Sequence, residues 1–322
     1  MQTKLKAIMD AAILHKASDI YIWPASQDYQ VSLRVLNERL ELKRLSFTEG
    51  QMLINFLKFQ ANMSLSEKRR PQLGSWHYLY QNQTFYCRLS SVGDFLGKES
   101  LVIRVLYHEE GLLRGYFFPN QLTKIEQESR KRGLILFAGP MGSGKTTTMY
   151  HVAKQFGEQY VLCIEDPIEM YEPNFLQLQV NKKAQMGYPE LLKLALRHRP
   201  DIFIIGEIRD GKTAQVALNA ALSGHLVLST VHAQSVYGVW ERLRSLGVDA
   251  ELLRQGLQMI NYQRLLPTKD GQQKVLFDQL KMEDIKAHGK TKVMTEKWGD
   301  NLAKCYQNGW ISREIWQKYQ AG

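Results

Sequence analysis

The chain has 322 residues, 44% of them apolar and 10% aromatic, with a formal charge of +10. That length suits two ordinary domains with a core each, and the aromatic content excludes a disordered polymer. No apolar run approaches the roughly 18 residues of a membrane span. Cys87, Cys163 and Cys305 form no Cys-x-x-Cys pair, which fits a reducing cytoplasm better than a zinc site or a disulfide framework.

Residues 1–16 place Leu5, Ile8, Ala11 and Ala12 at helical spacing, and Asp10 splits the apolar part, which predicts an amphipathic helix and no signal peptide. Residues 19–23 and 29–35 run apolar or alternate at strand length around a turn that contains Pro24, the pattern of a hairpin. Helical spacing returns over 48–61 through Met52, Leu53, Phe56 and Leu57. Two aromatic-rich strands, 76–80 and 84–90, and a third, 100–106, follow, so residues 1–107 read as a small α+β domain. Gly111, Gly115 and Pro119 mark 108–120 as a linker. A charged helix over 121–132, stopped by Gly133, opens the second domain, 121–322.

From Leu134 onward strand and helix alternate, as in a parallel sheet covered on both faces. The strands are predicted at 134–138, 160–164, 202–205 and 226–231. Each apolar run ends in polar residues, and in such sheets ligands bind beyond the carboxyl ends of the strands. After the first strand comes Gly139, Pro140, Met141, Gly142, Ser143, Gly144, Lys145, Thr146 and Thr147, a glycine-rich phosphate loop leading into a helix. Its backbone N–H groups and the helix dipole favour a polyphosphate. Lys145 is placed to reach the β- and γ-phosphates of a bound nucleotide, and the Thr146 hydroxyl to ligate Mg²⁺.

The second strand leads into Glu165-Asp166-Pro167-Ile168-Glu169, where a carboxylate can orient or deprotonate a water. The third delivers Glu207 to its tip, in Gly206-Glu207-Ile208-Arg209-Asp210, as the carboxylate on the Mg²⁺ side. The fourth ends at His232, which faces the same crevice and is read as a γ-phosphate contact, whereas His225 is read as a structural hydrogen bonder. Residues 282–322, with Trp298, Trp310 and Trp316, are expected to form a helical end.

Taken in order, these four stretches resemble the Walker A, aspartate box, Walker B and histidine box of the secretion and pilus ATPases, the group containing GspE, PilB and PilT. The resemblance covers nearly the whole chain. It implies an α/β protein: a small N-terminal α+β domain, then a RecA-like P-loop ATPase domain with a mainly parallel sheet. It further implies a homohexameric ring acting on a polytopic membrane platform protein from the cytoplasmic face, with no direct DNA binding. By the same resemblance Glu165 is the water-activating residue, and Arg88 and Arg104 match arginines that the first domain supplies to the phosphates.

Three departures fall outside the phosphate contacts. Asp19-Ile20-Tyr21-Ile22-Trp23-Pro24 lacks the family's His and Glu, Arg69-Arg70-Pro71-Gln72-Leu73-Gly74 lacks its Asp, and His198-Arg199-Pro200-Asp201 replaces Gln-Asp-Pro-Asp. A tetracysteine metal module is missing. Residues 67–74 and Asp19-Ile20-Tyr21 are more similar to the Gram-positive competence ATPases of ComGA type than to retraction motors. The expected function is an Mg-ATPase that powers a competence pilus for DNA uptake. Pilus retraction, type II secretion and nucleic-acid translocation stand as alternatives.

Overall fold

The computed structural model describes residues 2–35, 38–107, 115–181, 184–287 and 293–322. The chain divides into two units, Met1–His108 and Glu109–Gly322. Of the expected linker, residues 108–114 lie outside the described residues.

Unit 1 contains α1 (Gln2–Leu14), β1 (Asp19–Pro24), β2 (Asp28–Val35), β3 (Glu38–Ser46), α2 (Phe47–Gln60), β4 (Gln72–Tyr80), β5 (Gln83–Gly93) and β6 (Glu99–Leu106). Its six strands lie in the order β3-β2-β1-β6-β5-β4, every pair antiparallel. Leu5, Ile8 and Met9 of α1 and Leu53, Ile54 and Leu57 of α2 share one core with Ile20, Leu33, Leu89 and Ile103 of the sheet. Strand residues alternate between faces, so Arg88 and Arg104, which stand directly opposite each other on β5 and β6, lie on the face away from that core. The α2 N-terminus is closed by a capping box between Ser46 and Glu49, and Lys4 of α1 ion-pairs with the same Glu49.

Unit 2 opens with β7 (Gly115–Tyr116) and α3 (Pro119–Ser129), then alternates β8 (Gly133–Ala138), α4 (Lys145–Lys154), β9 (Val161–Glu165), β10 (Leu176–Gln179), α5 (Tyr188–His198), β11 (Ile202–Glu207), α6 (Gly211–Leu222) and β12 (Leu226–Val231). It closes with α7 (Val236–Ser245), α8 (Ala250–Gly256), β13 (Leu257–Pro267), β14 (Gln273–Lys281), a 3₁₀ turn over Met282–Ala287, α9 (Glu296–Gln307) and α10 (Arg313–Lys318). The eight strands run in the order β10-β9-β11-β12-β8-β13-β14-β7. They are parallel from β10 to β13, and β14 turns antiparallel. Helices cover both faces. Leu191 and Ala195 of α5 and Ala214 and Leu218 of α6 pack on Leu162, Phe203 and Val227, while Ile125 of α3 and Met149 and Val152 of α4 pack on Ile135, Cys163 and Ile204. That two-sided burial is why these strands are continuous apolar runs.

The predicted elements and the structure differ most after Val231. The long hairpin of β13 and β14 was not predicted from the sequence, and it ends at Lys281, just ahead of the stretch 282–322 that was expected to be helical. Helices do follow it. Trp298, Leu302, Cys305 and Ile311 form a small core with Leu266 and Leu276 of the hairpin. Buried Asp278 of β14 accepts from the backbone N–H of Thr295, the N-cap of α9, at 3.1 Å, and so fixes where that helix starts.

Candidate nucleotide site

The phosphate loop connects the end of β8 to α4, and its shape is set by a strand beneath it. Gly139 has φ of 138°, and a Cβ built there would stand 2.4 Å from the Gln263 carbonyl oxygen of β13. Any larger residue therefore needs both a disfavoured conformation and a backbone shift. Gln263 is fully buried, and its Nε2 donates to the Ser143 carbonyl at 2.6 Å. Lys145, the first residue of α4, is 9% exposed and donates from Nζ to the Gly139 and Pro140 carbonyls, each at 2.9 Å. Burial pushes its ammonium below the ordinary lysine value, and the Glu169 and Glu207 carboxylates oppose that push. Met141 is exposed at the loop tip, Ser143 and Thr148 are buried, and Thr147 faces the Met170 sulfur.

Three carboxylates stand at or just beyond the ends of the neighbouring strands β9 and β11. Glu165 closes β9 and is 2% exposed, with Tyr150 of α4 donating a hydrogen bond to its Oε1. Glu169, four residues on, accepts from the Thr146 hydroxyl at 2.8 Å. Glu207 closes β11 just past a bulge at Gly206, which re-aims its side chain. Its Oε2 accepts from Arg209 Nε at 2.7 Å, and its Oε1 lies 3.3 Å from His232 Nε2. Gly206 is tight as well: an added Cβ would stand 2.9 Å from Glu165 Cγ. Thr230 of β12 donates to the Gly206 carbonyl at 2.7 Å and pins the bulge in place. His225 Nδ1 lies 3.2 Å from the Ala220 carbonyl, at the end of α6.

The structure thus gathers Gly139 through Thr147, Glu165, Glu207 and His232 at the carboxyl ends of adjacent parallel strands of unit 2. Arg88 and Arg104 belong to unit 1, where Arg104 Nε donates to Asp19 Oδ1 at 2.8 Å and Arg104 remains half exposed. Sequence reasoning gave no role to Glu169, Tyr150, Gln177 or Gln263. Glu169 had a signal, since it stands four residues after Glu165 in the same acidic stretch. Buried polar residues such as Gln263 carry none until a fold places them.

The Thr146 hydroxyl and the Glu169 carboxylate that accepts from it are hard oxygens, the type that suits Mg²⁺. Among the described residues no group of three His, Cys, Asp or Glu could hold a metal alone. Mg²⁺ at a phosphate loop does not need one, because substrate phosphates complete its shell.

A parallel sheet covered by helices, with a glycine-rich loop entering a helix at Lys145 and acids at the next strand tips, defines a P-loop ATP hydrolase. More narrowly, residues 1–314 match the type II/IV secretion system protein family, and the chain belongs to it. It is 45% identical over 267 residues to the competence protein ComGA of Streptococcus pneumoniae, covering 83% of this chain and 85% of that one. It is 36% identical over 268 residues to the type II secretion system protein E of Klebsiella pneumoniae, covering 81% of this chain and 54% of that protein, so it spans about half that relative's length. Among solved structures, the pilus retraction motor PilT with bound ADP shares the fold, with a TM-score of 0.75, 24% identity, and 98% and 96% of the two chains covered. No helix among the described residues is long and apolar enough to cross a membrane.

Proposed function

We propose that this chain is an Mg-ATPase of a competence pilus, working as a homohexamer on the cytoplasmic face of the membrane against a polytopic platform protein. The observation that carries the ATPase chemistry is the buried Lys145, held beside Thr146 and Glu169 at the mouth of α4. The similarity to the pneumococcal ComGA protein over most of both chains supports competence over retraction or type II secretion.

In this reading Lys145 exchanges its two loop carbonyls for β- and γ-phosphate oxygens, a trade favoured by charge. Glu165 takes the proton of the attacking water, and His232 meets the γ-phosphate. Mg²⁺, held by Thr146 on the side of Glu207, would neutralise charge on the phosphates. Arg88 and Arg104 supply guanidinium charge from unit 1 when phosphate charge builds up.

The test is Lys145→Ala in the bacterium that carries the chain, with surface pili and DNA uptake counted together. Loss of both supports the assembly motor. Pili that persist or accumulate move the assignment to retraction. Hydrolysis by the purified protein that rises on adding DNA would instead favour a nucleic-acid motor.

A further inference from the structure

Glu165 is held by a chain of hydrogen bonds whose direction is fixed at every step. The backbone N–H of Glu172 donates to Gln177 Oε1 at 3.0 Å, which makes the other end of that amide the donor. Gln177 Nε2 donates to the Met170 carbonyl at 2.7 Å and to the Tyr150 hydroxyl oxygen at 2.8 Å. With its oxygen already accepting from the amide, Tyr150 gives its one proton to Glu165 Oε1. Tyr150 is fully buried and Glu165 nearly so, so the bond between them is shielded from bulk water.

The geometry points to Tyr150 as a positioning residue for hydrolysis, with Gln177 setting the direction of its hydrogen bond and Glu165 as the group it orients. This rests on the reading of Glu165 as the residue that accepts the water proton. A carboxylate on a flexible glutamate stem has several rotamers, and a base must stand within hydrogen-bond reach of the proton it removes. The bond from a rigid, buried phenol anchors Oε1 of the carboxylate, and Gly206 leaves room for the glutamate stem, where a Cβ would stand 2.9 Å from Glu165 Cγ. Burial and the nearby Glu165 charge push the Tyr150 phenol far above the ordinary tyrosine range, so it stays a proton donor throughout the working range.

Placement on α4 adds a second consequence. Lys145 and Thr146 begin that helix and Tyr150 lies on it, so the groups that grip the phosphates and the group that aims the base move as one body.

The experiment uses the full chain and measures kcat, KM for ATP, nucleotide affinity and melting temperature. Tyr150→Phe keeps the ring and removes only the oxygen. The expected result is a fall in kcat of roughly ten- to a hundredfold, the scale of a misplaced catalytic group, with KM and affinity within about twofold of the parent. In a Glu165→Gln background the same change should leave the residual single-turnover rate unaltered, because there is no base left to aim. Gln177→Leu, at a half-buried site, should lower kcat in the same sense and serves if Tyr150→Phe does not fold. A parental kcat in whichever of these variants folds, alongside an inactive Glu165→Gln, overturns the inference and leaves the base intact. Full activity in Glu165→Gln removes the base assignment and this inference with it. A raised KM at unchanged kcat also overturns it, since that is a binding role.

Discussion

Replacing Gly206 by alanine adds one methyl group at the point where β11 passes Glu165. The new carbon would stand 2.9 Å from Glu165 Cγ and 3.2 Å from its Cα and Cβ. Relaxed carbon contacts lie at about 3.5–4.0 Å, so the two strands must part or the glutamate must swing. Neither is free: Ser229 and Thr230 of β12 bond the Ile205 and Gly206 carbonyls, and Tyr150 holds the carboxylate. Overpacking of this size costs about 1–3 kcal/mol, or a melting temperature about 2–12 °C lower for a unit of this length. Displacing the carboxylate should lower kcat roughly ten- to a hundredfold. KM for ATP should hold, because Lys145 and the loop carbonyls are untouched. Phosphate release at saturating ATP, with nucleotide affinity measured separately, reads both. A variant that melts lower yet turns over at the parental rate would refute the link between this contact and the chemistry.

Arg88→Ala and Arg104→Ala should each bind ATP normally and hydrolyse it at least about tenfold more slowly; unchanged rates would leave Arg104 as the surface partner of Asp19 and nothing more. Glu49 is held down to about 2 by Lys4, with the Ser46 backbone N–H and hydroxyl adding to it, against 4.5 for a free glutamate. Since its folded value is depressed, the stability it contributes is present above pH 4.5 and is lost as pH falls toward 2. Glu49→Gln should therefore flatten the acid limb of the melting curve, and equal slopes in both proteins would contradict this. Burial pushes the Cys87 and Cys305 thiols up to about 12 and Cys163 well above its ordinary value. At pH 8 the native protein should leave a thiol-specific disulfide reagent unconsumed and react at three sites once unfolded; rapid labelling of the folded chain would count against the buried placement.

The central parallel strands were legible because burial on both faces demands unbroken apolar sequence, as in Leu134-Ile135-Leu136-Phe137-Ala138. The phosphate loop and the acids after β9 and β11 were legible for a related reason, since polar residues at the end of such a run have few structural uses. β13 hid because it buries polar groups: Asn261 and Gln263 are wholly buried in mid-strand and break the apolar pattern. Its hairpin partner did leave a cue in Asp270-Gly271, a common turn pair. β3 hid for the opposite reason, being an edge strand whose Glu38, Arg39 and Glu41 face solvent, the usual guard against stray pairing. The Tyr150–Glu165 bond joins residues fifteen apart on different elements, and no spacing rule announces such a pair.

β13 carries two consecutive residues with opposite duties. Gln263 lies under the phosphate loop, and Arg264, on the other face of the strand, donates to the Gly322 carbonyl at 2.8 Å and sits over the Tyr319 ring. A single extended backbone, hydrogen-bonded to β8 on one side and β14 on the other, therefore holds the floor of the phosphate loop on one face and the residues that follow α10 on the other. The Ser143 carbonyl and the Gly322 carbonyl are thus kept in register by neighbouring residues of one strand, which ties two stretches that lie far apart in the sequence to a common backbone.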